Sequence, residues 1–95
     1  MVQVNYIPDT DDLEIVFTEI VETPEVVKLN NGIMFEFDSD SLSAIVLPNF
    51  GKMVHITGLE NLSIEFESFT SELLKIKIND QIINIKIDLT EIENQ

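Results

Sequence analysis

VVKLNNGIMFEFDSDSLSAIVL, residues 26–47, reads as three short strands joined by two tight turns. Asn31-Gly32 is the strongest turn signal, because a two-residue type I′ hairpin needs positive φ at both central positions and Asn-Gly tolerates this at low cost. That turn sets Leu29 opposite Met34, Lys28 opposite Phe35 and Val26 opposite Phe37. With Ser39-Asp40 as the next turn, Phe37 faces Leu42, Phe35 faces Ala44 and Ile33 faces Val46. One side of the ribbon then carries Ile33, Phe35, Phe37, Leu42, Ala44 and Val46, a core face. The other side carries Val27, Leu29, Met34 and Ile45, interrupted by Glu36 and Ser43. It is more apolar than a solvated face should be, so a second layer or another subunit is expected to cover it.

Upstream, Val2 and Val4 alternate with polar residues up to Tyr6, and Pro8 with Asp9-Thr10-Asp11-Asp12 makes an acidic turn. Leu13, Ile15 and Phe17 alternate into a second strand, and Glu22-Thr23-Pro24-Glu25 forms the loop before the central ribbon. Downstream, Pro48 to Lys52 breaks the pattern with a helical turn near Phe50, and Met53-Val54-His55-Ile56 reads as a short edge strand. Leu62, Ile64 and Phe66 begin another strand. Leu74, Ile76 and Ile78 follow, and Asn79-Asp80 turns the chain so that Ile76 meets Ile83 and Leu74 meets Ile85. Matching the apolar faces of 62–67 and 73–78 puts Glu65 opposite Lys77 and Glu67 opposite Lys75. That account of Lys75 and Lys77, which share a face with Lys86, is simpler than a phosphate track. A weak helix start lies at Asp88 or Thr90, with fraying beyond. The reading is an all-β single domain, 1–95: an antiparallel meander of about seven or eight short strands forming a small sandwich or half-open barrel, with little helix.

Tyr6, Asp11, Leu13, Ile15, Glu25, Val26, Gly32, Phe37, Asp38, Asp40, Leu42 and Ile45 follow a recognisable order. A tyrosine precedes an acidic turn and an L-x-I strand; an acid-plus-valine strand then leads through a hairpin to a strand ending in aspartate and an apolar strand. Over residues 6–47 this resembles a family of small bacterial proteins catalogued as domain of unknown function 2283. Ile7, Ser41 and Ala44 stand where that family usually has aspartate, glycine and glycine. Members are at times encoded beside small toxin-like proteins, so the resemblance implies an antitoxin-like role.

Composition narrows the chemistry. Five lysines, no arginine and eighteen carboxylates give a formal charge of −13. Such a surface repels nucleic-acid phosphate and anionic lipid and attracts a basic partner at low salt. Thirteen acids and two lysines lie in residues 1–70, against five acids and three lysines in 71–95, so electrostatic function belongs to the first part. There is no cysteine, hence no disulfide or thiolate metal site. No apolar run nears the roughly 18 residues of a membrane span, and the N-terminus lacks signal-peptide regions; a cytoplasmic address is the default.

Catalysis is not expected. His55 is the sole histidine, without a neighbouring nucleophile or orienting acid. Asp38 and Asp40 begin like a calcium loop, but Leu42 occupies the third ligand place; turn-forming carboxylates explain them better. Neither a metal nor a cofactor is expected. The leading expectation is a non-catalytic module that neutralises a basic protein partner. Asp9, Asp11, Asp12, Glu14, Glu36, Asp38 and Asp40, near the turns of the first three hairpins, attract and orient it, and Met34 and Ile45 give apolar contact. Nucleic-acid mimicry by lined-up carboxylates, without direct nucleic-acid binding, and a structural homo-oligomer, such as a homodimer on the second ribbon face, are the alternatives.

Overall fold

The computed structural model describes residues 2–19 and 23–91. Among them, eight strands form two antiparallel sheets, as the alternation of the sequence requires. β1 (Gln3–Ile7), β2 (Asp12–Val16), β3 (Glu25–Lys28), β4 (Met34–Asp38) and β5 (Ser41–Leu47) make a five-stranded sheet in the order β1-β2-β5-β4-β3. β6 (Ile64–Thr70), β7 (Leu73–Ile78) and β8 (Gln81–Lys86) make a three-stranded meander. The sheets do not close into a barrel. Leu13, Ile15, Ile45 and Leu47 of the first sheet share one core with Leu74, Ile76 and Ile85 of the second. Phe17 meets Phe66 edge-on at 5.1 Å between centroids, and Phe35 stacks on Phe69 at 6.0 Å.

The first hairpin differs by one residue from the expected register. Leu29 pairs with Ile33 through its N–H and accepts from Gly32 N–H, so the loop holds three residues, Asn30-Asn31-Gly32. Only Gly32 has positive φ, at 94°, while the Asn31 side-chain oxygen accepts the Ile33 N–H at 3.1 Å. This is the arrangement of a three-residue loop ending in a glycine bulge, not a type I′ turn. The consequence is large, because a one-residue slip inverts a strand. Val27 now faces Phe35, so Val27 and Leu29 turn inward. Leu29 is fully buried.

A second slip follows in β5. Ser39-Asp40 does form the two-residue turn, and Phe37 does face Leu42, but Glu36 then pairs with Ala44, leaving Ser43 as a bulge. The Ser43 hydroxyl donates to the Glu36 carbonyl at 2.9 Å, and its own carbonyl accepts the Phe17 N–H at 2.8 Å. The bulge brings Ile45 opposite both Phe35 and Ile15, with Ala44 and Val46 on the outside. Ile45, expected at the surface as a partner contact, is therefore fully buried.

The second sheet keeps the Asn79-Asp80 hairpin, with Ile76 opposite Ile83 and Leu74 opposite Ile85. Glu65 faces Lys77 as expected, but Glu67 is itself a bulge, and Ser68 takes the place opposite Lys75. The turn with positive φ at both central positions lies at Ser71-Glu72 (50° and 64°), where neither residue is glycine. Glu72 ties this turn to the following segment: its carbonyl accepts the Ile87 N–H at 2.8 Å and its carboxylate the Leu89 N–H at 3.0 Å.

Met53 and Val54, expected in an edge strand, belong instead to α1 (Phe50–Val54), which His55 ends in a left-handed conformation at φ 59°. Phe50 anchors α1 in the core, and a 3₁₀ turn at Leu59–Asn61 follows. The helical end anticipated near Asp88 is a 3₁₀ turn, Leu89–Glu91, where Asp88 accepts the Thr90 N–H at 2.9 Å. Glu22 and residues 92–95 lie outside the described residues.

Candidate protein-binding face

Strand alternation sends β2 residues Asp12, Glu14 and Val16 to the outer face of the five-stranded sheet, along with Met34, Glu36 and Asp38 of β4. Register orders them. Glu14 pairs with Val46, which pairs with Met34; Val16 pairs with Ala44, which pairs with Glu36. An apolar diagonal of Val16, Ala44, Val46 and Met34 thus crosses the face, with Asp12 and Glu14 on one side and Glu36 and Asp38 on the other. Acids two apart on a strand are separated by about 6.7 Å, and the two acidic strands by about 9.5 Å. Ala44 and Val46 on the central strand are buried, and Asp12, Glu14, Glu36 and Met34 are half-buried around them. Glu14, Glu36, Val16, Ala44 and the exposed Glu19 line a shallow cleft of about 120 Å³.

Five of the nine residues expected to bind a partner therefore meet on one surface: Asp12, Glu14, Met34, Glu36 and Asp38. The others do not. Asp9 and Asp40 are exposed in turns at opposite ends of the sheet. Asp11 serves the fold. Its carboxylate accepts the Tyr6 hydroxyl and, at 2.9 Å, the Gly51 N–H, and its carbonyl accepts the Phe50 N–H at 2.8 Å. These bonds pin the first turn of α1 to the β1–β2 loop, where Asp11 itself holds φ 59°. A side chain at position 51 would place Cβ 2.8 Å from the Asp11 carboxylate, so glycine is needed there. The Tyr6 hydrogen bond, helped by the Gly51 and Lys52 amides, holds the Asp11 carboxyl below its usual range despite partial burial. The same bond pushes the Tyr6 phenol up to about 12.

Sequence reasoning missed Glu19 and the flooring role of Ala44. Glu19 gives no signal of its own, and Ala44 was placed inside because the Ser43 bulge was not anticipated. Among the described residues, no group of three histidine, aspartate or glutamate side chains is arranged to hold a metal ion. His55 is exposed at the end of α1. No helix of the described residues is long and apolar enough to cross a membrane.

Two sheets around one core, with an acidic outer face crossed by an apolar diagonal, define an all-β domain with a surface suited to cationic matter. The chain matches no family model, no curated protein and no solved structure.

Proposed function

We propose that this chain is a non-catalytic, antitoxin-like binding module that works in the cytoplasm by capturing and neutralising a basic protein partner. The observation that carries the proposal is the convergence of Asp12, Glu14, Glu36 and Asp38 on one sheet face, on either side of the diagonal through Ala44 and Val46. Carboxylates so placed accelerate and orient encounter with a lysine- or arginine-rich surface, whereas apolar contact at Val16, Val46 and Met34 slows its dissociation. The small side chain of Ala44 leaves a recess for one long partner side chain between the acids. The resemblance of residues 6–47 to the small bacterial family supports the same role. The remaining carboxylates lie in turns and on the second sheet as well, for example Glu65 and Glu67 of β6, and not in single file. That distribution gives duplex mimicry no support.

The test neutralises the face with Asp12→Asn, Glu14→Gln, Glu36→Gln and Asp38→Asn, all at half-buried or exposed positions. In a pull-down from cell extract, wild type should retain basic proteins that elute as salt rises, and the variant should lose them. Equal capture and equal salt dependence would falsify the proposal.

A further inference from the structure

A groove separate from the acidic face opens at one end of the core. Val27 and Leu29 of β3, Phe35 and Phe37 of β4, and Leu42 of β5 line one wall, and Phe69 of β6 stands opposite. Leu89, which is 42 % exposed, stands at its mouth, held by the Glu72 carboxylate on its N–H. The cavity measures about 310 Å³ and no polar side chain lines it. That is near the lower end of ligand cavities, at roughly 300–1,000 Å³.

Two further observations identify the occupant. First, the groove lies beneath β3, an edge of its sheet. Leu29 and Val27 form the pairs whose backbone groups bond to β4, so by alternation the N–H and C=O of Val26 and Lys28 point away from the sheet. Val26 is 47 % exposed. Second, the rim is acidic. Glu25 pairs beside Phe37, Asp38 and Asp40 flank the turn between Phe37 and Leu42, and Asp88 adjoins Leu89, all four exposed. A fatty carboxylate or anionic lipid would be repelled there, and a cationic segment drawn in.

We propose that β3 and the groove together accept an extended, lysine- or arginine-rich segment of a partner protein. It adds as a sixth strand beside β3, its backbone bonding Val26 and Lys28 and its inward apolar side chains filling the groove. This rests on the reading of the chain as a receptor for a basic protein, and specifies how that protein is held.

The probe is a labelled peptide, Lys-Val-Lys-Phe-Lys-Val-Lys, titrated into the full chain at low salt and followed by anisotropy. Val26→Pro removes one outward N–H at an exposed edge position that tolerates proline, and Ile82→Pro does the same on the β8 edge, where Ile82 is 46 % exposed. Binding should weaken about tenfold or more in Val26→Pro, the loss expected from one or two backbone bonds, and stay unchanged in Ile82→Pro. It should also fail when the central Phe of the peptide becomes Ser, or its Lys residues Glu. Thermal unfolding confirms that both proline variants are folded. Salt-dependent binding that ignores Val26→Pro but vanishes when Glu14 and Glu36 become Gln overturns strand addition and leaves the acidic-face reading standing. Absence of any binding by the basic peptide overturns both. A wild-type dimer in light scattering that Val26→Pro dissociates would give the edge to a second copy, and the inference would fail.

Discussion

Replacing Ile45 by alanine tests the arrangement on which the face and the groove both depend. Ile45 is fully buried, with Ile15 on one side and Phe35 on the other. Truncating such a side chain removes its transfer free energy and leaves a cavity, for a loss of about 2–5 kcal/mol. A chain of this length is stabilised by only about 5–14 kcal/mol in total, so the variant should lose a substantial fraction. With a urea m value of about 1–1.5 kcal/mol/M, the midpoint should fall by more than about 1.3 M. Met34→Ala is the companion, since Met34 is half-buried on the outer face; its effect should stay below about 1.5 kcal/mol. If Ile45→Ala unfolds within about 0.5 kcal/mol of wild type while Met34→Ala is the more damaging, the Ser43 bulge is absent and Ile45 points outward.

Gly32→Ala should cost about 1–2 kcal/mol for its positive φ, aggravated by Pro48 Cγ at 3.1 Å, and Asn31→Ala only about 0.5–1 kcal/mol for one side-chain bond; equal losses in urea titration would restore the type I′ turn. Ser71→Asn should stabilise by up to about 1 kcal/mol, because asparagine accepts a left-handed conformation more readily than serine, and a lowered melting temperature would contradict the turn geometry. Tyr6 is the single tyrosine, so its phenolate absorbance should titrate near 12 and move toward about 10 in Asp11→Asn. The depressed Asp11 carboxyl contributes stability above about pH 4, lost as pH falls through its folded value; the raised Tyr6 contributes below about pH 10, lost as pH rises through the folded value. Asp11→Asn should therefore flatten the acid limb of stability against pH, and an unchanged limb would show that the bond contributes nothing.

What the sequence made legible was the class of fold and the elements with unambiguous turns. Asn79-Asp80 fixed β7 against β8 because a two-residue loop there satisfies every apolar pairing. Asn30-Asn31-Gly32 was ambiguous, since the same letters serve a two-residue or a three-residue loop, and local turn preference favoured the wrong one. A signal was present: Val27 and Leu29 left a ribbon face too apolar for water, and moving them inward by one residue resolves it. The bulges at Ser43 and Glu67 had no such mark, for a bulge is decided by what packs above and below the strand and not by its own residues. Of the candidate acids, those on β2 and β4 were recognisable by alternation, whereas Asp11 could be separated from them only once Gly51, forty positions away, was seen to donate to it.

The Ser43 bulge also governs which genetic changes β5 can absorb. Side chains along Leu42–Leu47 can be exchanged one at a time, each altering a single contact. Loss of one codon there, or gain of one, would instead transpose every later residue of the strand between oil and water, offering Ala44 and Val46 to Ile15 and thrusting Ile45 and Leu47 outward. Lineages of this domain should accordingly vary in spelling along β5 while holding its residue count constant.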